Sequence, residues 1–123
     1  MSKEKPKKLD KRSLDKHVKM AVNASREKKA EDIVVLDLRD ISSFTDYFLI
    51  MQGNSKRQNM AVYEGIEQQL KSESIKPLSI EGRKSAEWIL MDYGHFIVHI
   101  FSKEAREFYL LEKLWGDAPR SDF

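Results

Sequence analysis

The chain has 123 residues, 41% apolar and 34% charged, with a formal net charge of +2 and no cysteine. That length accommodates one domain around a single core and excludes two ordinary ones. The lack of cysteine excludes disulfides and thiolate chemistry, and with no Cys/His cluster along the sequence no structural zinc is expected.

No run approaches the roughly 20 apolar residues that span a bilayer, and the N-terminus lacks a signal-peptide core, so a cytoplasmic protein without membrane contact is expected. Residues 1–30 carry 11 Lys/Arg against 4 Asp/Glu, and the remainder carries 11 against 16. The basic end has the charge to feel RNA through counterion release, although a Lys-rich end without aromatics also serves as a plain solubilising tail. Residues 1–12 are too polar to offset their ordering entropy and are expected to be a disordered basic tail, leaving 13–123 as one domain.

From Ser13, read as an N-cap, Leu14, Val18, Ala21, Val22 and Ser25 follow helical spacing to about Lys29, with His17 as a boundary residue. The β-branched run Asp32–Leu38 predicts a strand covered on both faces and central in its sheet. Tyr47–Gln52 is a second strand, closed by Gly53 and linked through a polar connection in which Asp46 is expected to close a turn. That link permits an antiparallel pair.

Gly53-Asn54-Ser55 opens a helix with Ser55 and Gln58 as a capping box and Met60, Tyr63, Ile66 and Leu70 as its apolar stripe. The helix should stop before Pro77, and Pro77–Ile80 reads as a short strand whose proline favours an edge or a strand start, reached by a right-handed parallel crossover. Trp88–Asp92 and His95–Phe101 form a hairpin across Tyr93-Gly94. Alternation puts Trp88, Leu90 and Asp92 on one face of the first strand and Ile89, Met91 and Tyr93 on the other. Ser102 caps a last helical region in which Phe108, Leu111 and Trp115 share a face, ended by Gly116 and Pro119. The order α-β-β-α-β-β-β-α makes an α/β protein with a mixed five-stranded sheet and flanking helices.

Catalytic signals are sparse. Gly53-Asn54-Ser55 alone is a weak phosphate cradle, since no Gly-Lys-Ser/Thr completes a P-loop. Asp37 and Asp40 straddle a strand end and point apart, so a two-metal clamp is not expected. No GxSxG elbow occurs, and His95 and His99 have no Ser/Asp partners evident in sequence; His99 reads as a hydrogen-bonded core residue. Trp88 fits both a core tryptophan and an aromatic anchor beside a carboxylate, and periodicity does not separate the two. Trp115 reads as core.

Several blocks in fixed order carry a resemblance across about Leu14 to Asp117: Asp32 to Leu38, Thr45 to Phe48, Gly53-Asn54-Ser55 with Arg57-Gln58, Glu81-Gly82, Trp88 to Gly94, Val98 to Phe101, and Arg106 to Tyr109 running on to Trp115. On these blocks the chain resembles the ribosomal silencing factor family, RsfS, also called Iojap. The resemblance implies a nucleotidyltransferase-like fold stripped of its catalytic carboxylates, and a protein that is not an enzyme and needs no cofactor or metal. It also implies binding to the large ribosomal subunit through that subunit's fourteenth protein, blocking subunit joining and repressing translation when nutrients are scarce. Organelle relatives serve in large-subunit assembly, and free members are often homodimers; direct rRNA contact stays open. The Trp88-to-Gly94 block matches the family's docking region, so Trp88, Met91 and Asp92 carry over by position, and strand geometry adds Leu90. Large-subunit assembly is the first alternative function and nucleotidyl transfer a more distant one.

Overall fold

The computed structural model describes residues 8–123. Its elements run α1 (Lys16–Glu27), β1 (Glu31–Asp37), β2 (Tyr47–Gly53), α2 (Lys56–Lys71), β3 (Ser79–Glu81), β4 (Trp88–Asp92), β5 (Phe96–Ser102), α3 (Lys103–Tyr109), α4 (Leu111–Leu114) and β6 (Arg120–Asp122). One mixed sheet of six strands takes the order β3-β4-β5-β2-β1-β6. Of its pairings β2–β5 is parallel and the others are antiparallel.

The sixth strand was not expected. Arg120-Ser121-Asp122 has no apolar alternation, and its strand form comes from pairing with β1, reinforced by the Phe123 N–H donating to the Ile33 carbonyl at 2.9 Å. Of the expected disordered tail, residues 1–7 lie outside the described residues. Of residues 8–12 only Leu9 is buried: Lys8 bridges Arg120, and the Leu9 N–H donates to the Arg120 carbonyl at 3.0 Å, while Asp10, Lys11 and Arg12 are exposed. A single leucine anchored to a strand edge holds that segment.

Strand β1 lies next to β6, one place in from the sheet edge, and is covered on both faces as its composition demands. Strand β3 is an edge, where the preceding Pro77 costs no ladder bond. The pairings make β3 run parallel to β2, but β5 and β4 stand between them. The parallel neighbour of β2 is therefore β5, not β3.

Asp15, rather than Ser13, caps α1, its Oδ1 accepting from the His17 and Val18 N–H groups at 2.9 and 3.3 Å. Ser55 caps α2 by accepting from the Gln58 N–H, while the Gln58 side chain returns to the Asn54 N–H at 2.6 Å, a box shifted back by one residue. The expected last helix breaks at Leu110, whose left-handed φ of 49° separates α3 from α4. The break parts Phe108, 79% exposed on α3, from Leu111 and Trp115, which pack on the sheet.

The two sheet faces are covered unequally. Helices α1 and α2 seal one face over a core that includes Ile33, Val35, Leu49, Ile89, Met91, Phe96, Val98 and Ile100. On the other, α3, α4 and the chain after them cover Val34, Leu36, Phe48, Ile50, Ile97 and Phe101. Buried Arg106 ties this thinner layer down, donating to the Asp32 carbonyl at 2.6 Å and to the Glu112 carboxylate at 2.8 Å. A guanidinium taken out of water must be paired in this way.

Candidate functional site

The thinly covered face is laid out in rungs. Asp92 sits opposite Ile97, which sits opposite Phe48; Leu90 opposite His99, then Ile50; and Trp88 opposite Phe101, then Gln52. Across these rungs aromatic rings form a connected row. Tyr109 lies 4.5 Å from Trp88, Trp88 5.9 Å from His99, His99 4.5 Å from Phe48, and Phe48 5.9 Å from Trp115, with Phe44 6.2 Å beyond.

Trp88 combines the two roles its sequence position allowed. It is half-buried, packed at a tilt against the rings of Phe101 and Tyr109, and its Nε1–H donates to His99 Nδ1 at 3.0 Å. The indole thus pins α3 to the sheet and keeps part of its surface in water. Burial pushes the His99 pKa down to about 3, so the ring is neutral. Because Nδ1 accepts, its proton stands on Nε2, which has no hydrogen-bond partner among the described residues. His99 is the hydrogen-bonded core residue expected.

Leu90 and Asp92 are half-buried on the same face as Trp88, beside the exposed edge-strand residues Ser79 and Glu81. Asp92 Oδ1 accepts from the Gly94 N–H at 2.8 Å, closing the hairpin turn where Gly94 has φ of +89°. Gly82 sets the other end of β4: at φ of +86° it lies so close to the Trp88 carbonyl that an added Cβ would sit 1.9 Å from that oxygen. Only glycine accepts both conditions.

Trp88, Leu90 and Asp92 therefore come together, whereas Met91 does not join them. It is 0% exposed on the opposite face, among Ile89, Val98 and the helices. Sequence position placed it in the docking block; the strand's period of two turns it inward. Phe44 and Tyr109, both exposed and both in the aromatic row, were not singled out from sequence; Tyr109 fell within the Arg106-to-Tyr109 block, and Phe44 in none.

The catalytic candidates resolve into structural parts. Burial pushes the Asp37 carboxyl pKa up, but bonds from the Arg39 side chain at 2.7 and 3.0 Å outweigh it and leave it lowered. Asp37 is thus committed to Arg39, and Asp40 is exposed. At Gly53-Asn54-Ser55 the N–H groups of Asn54 and Gln58 are taken by the helix's own caps, and the adjacent cleft sets two carboxylates, Glu87 and Glu104, against two lysines, Lys56 and Lys103, with no net positive charge to draw an anion. His95, read as partnerless, meets Asp15 and His17.

Comparison with known proteins agrees with this architecture. Residues 11–123 match the family described as "Ribosomal silencing factor during starvation". The chain is 46% identical over 105 residues to the ribosomal silencing factor RsfS of Bacillus subtilis, covering 85% of this chain and 89% of the relative. It is 35% identical over 101 residues to the mouse protein named "Mitochondrial assembly of ribosomal large subunit protein 1", covering 80% of this chain and 44% of that one. A crystal structure of a Chromobacterium violaceum protein superposes with a TM-score of 0.79 at 32% identity, covering 81% of this chain and 83% of that one.

Proposed function

The chain belongs to the ribosomal silencing factor (RsfS) family, and on that premise we propose that it docks on the fourteenth protein of the large ribosomal subunit and keeps the small subunit from joining. The observation that carries this reading is the strip of Trp88, Leu90 and Asp92 at the thinly covered end of the sheet, an apolar surface edged by carboxylate. Proteins that live on rRNA carry positive charge, so Asp92 and Glu81 meet a complementary surface. An interface of about 800 Å² per partner suffices for stable docking. The inhibition is by bulk, and no chemistry or cofactor is needed.

Two further parts belong to the same proposal. The chain works in the cytoplasm; among the described residues no helix is long and apolar enough to cross a membrane. Free of the ribosome it pairs with a second copy, a reading supported by the large apolar side chains left exposed on α3 and α4, Phe108 and Leu114 among them.

Co-sedimentation with purified large subunits tests the docking. Asp92→Asn keeps the oxygen that closes the turn and removes only the charge, so it should fold normally and bind at least about tenfold more weakly. Wild-type affinity in both Asp92→Asn and Leu90→Ala would move the site elsewhere. A second reading, assembly of the large subunit, is favoured by the name of the mouse relative. It predicts that cells lacking the protein accumulate incomplete large subunits, whereas a silencing role leaves them complete and joined when nutrients fail. Nucleotidyl transfer finds no support in Asp37, which Arg39 engages, and a thermal shift with ATP and magnesium would revive it.

A further inference from the structure

From the grouping of Asp15, His17 and His95 we infer a binding site for a divalent transition metal of the zinc class, joining the start of α1 to the β4–β5 turn. One ligand atom from each residue lies within 4.8 Å of the others, although Asp15 and His95 stand 80 residues apart in sequence. Two imidazoles and a carboxylate are a donor set that suits Zn2+ and its neighbours rather than magnesium or calcium, which favour oxygen alone.

The geometry is close to what such an ion needs. His95 Nε2 stands 3.4 Å from Asp15 Oδ1, and two ligands on a tetrahedral zinc, each at about 2.1 Å, are separated by about 3.4 Å. The His17 ring lies edge-on to His95, 5.9 Å between centroids, with a ring nitrogen within 4.8 Å of both other ligand atoms. All three residues are half-buried, leaving a path for entry and a fourth position for water.

Two of the ligands are held in place from behind. Asp15 Oδ1 is fixed by the His17 and Val18 N–H groups, and its Oδ2 accepts no hydrogen bond among the described residues. The His95 carbonyl accepts from the Asp46 and Tyr47 N–H groups at 2.9 and 3.2 Å, and the preceding Gly94 carbonyl accepts from Thr45 Oγ1 at 3.0 Å. That outer layer fixes the loop before any ion arrives, as supported metal sites require. Lys16, between Asp15 and His17 in sequence, is paired with Glu73, whose carboxylate also lies within electrostatic reach of His17.

The histidine inventory sharpens the assignment. The chain has three histidines and no cysteine. His99 is buried and bonded to Trp88, so the two imidazoles open to an ion are the two that meet. The site is independent of the docking proposal, since none of its residues belongs to the Trp88–Leu90–Asp92 strip.

The test is titration of the untagged, full-length, metal-free protein with Zn2+ by calorimetry, and with Co2+ by visible absorption. Expected are one equivalent of either ion, a four-coordinate Co2+ spectrum, and a Tm raised by roughly 10 °C at free Zn2+ a hundredfold above Kd. Asp15→Asn keeps the helix cap and removes the charge, and should weaken binding by at least about tenfold; His17→Ala with His95→Ala should weaken it by at least about a hundredfold, with unchanged circular dichroism. Absence of binding, or equal binding by the folded double-histidine variant, would overturn the site and leave a plain His95–Asp15 side-chain contact.

Discussion

Replacing Trp88 by phenylalanine isolates the side-chain hydrogen bond that ties the indole of the candidate site to the core of the sheet. The phenyl ring keeps an aromatic contact with Phe101 and Tyr109 but loses the Nε1–H donated to His99 at 3.0 Å. A hydrogen bond is worth about 1 kcal/mol net, but leaving a buried acceptor unpaired costs about 1–3 kcal/mol. His99 cannot recover by changing tautomer, because Nε2 already lacks a partner among the described residues and the ring is 3% exposed. The expected loss is therefore about 2 kcal/mol, or a Tm lower by roughly 5–12 °C for a domain of this size. Urea unfolding followed by circular dichroism reads it, with an unchanged m-value. His99→Leu should suffer a similar loss, while the double variant, with an apolar pair in place of donor and acceptor, should lose less than the sum of the two. Strict additivity, or a Trp88→Phe loss below about 0.5 kcal/mol, would show that the bond does not hold this face together.

Met91→Ala should cost about 2–5 kcal/mol in urea unfolding, since the side chain is wholly buried, yet leave affinity per folded molecule for the large subunit unchanged. A selective loss of binding would return Met91 to the docking surface. Gly82→Ala, which combines a φ of +86° with a Cβ 1.9 Å from the Trp88 carbonyl, should destabilise by at least about 1–3 kcal/mol and lower subunit binding by displacing the start of β4. Stability should also fall with acidification in a window set by His99. The folded ring resists protonation until about pH 3 while the unfolded chain takes the proton near pH 6.5, so the unfolded state binds more protons between these values. The full stability is present above about pH 6.5 and is lost progressively below it, by at most about 1.4 kcal/mol per pH unit from this group. Denaturation midpoints across pH 4–7 should show a shallower slope in His99→Leu, and an identical slope would remove His99 as the cause.

Local chemistry made most of the elements readable. The β-branched run of β1, the Ser55 cap, the Pro77 edge and the alternation of β4 and β5 are short-range signals, and each held to within a few residues. What escaped depended on partners distant in the chain. Strand β6 exists because β1 offers it an edge, Leu9 is ordered by Arg120, and α3 parts from α4 at a left-handed Leu110 that no glycine or proline announces. The same division runs through the site. Alternation placed Trp88, Leu90 and Asp92 on one face, but only the assembled sheet shows the indole bonded to His99, and only the folded chain brings His95 to Asp15 and His17. Met91 marks the opposite case: the block carries it along with Trp88 and Asp92, while the strand's own period buries it on the other face.

Subunit joining in a purified system bears most directly on the account. Adding the protein to large subunits before small subunits, under conditions where joined ribosomes otherwise form, should lower the joined fraction in proportion to occupancy. Asp92→Asn should need at least about tenfold more protein for the same effect. If the joined fraction stays unchanged while the protein is demonstrably bound to the large subunit, docking does not occlude the small subunit and the steric account is contradicted.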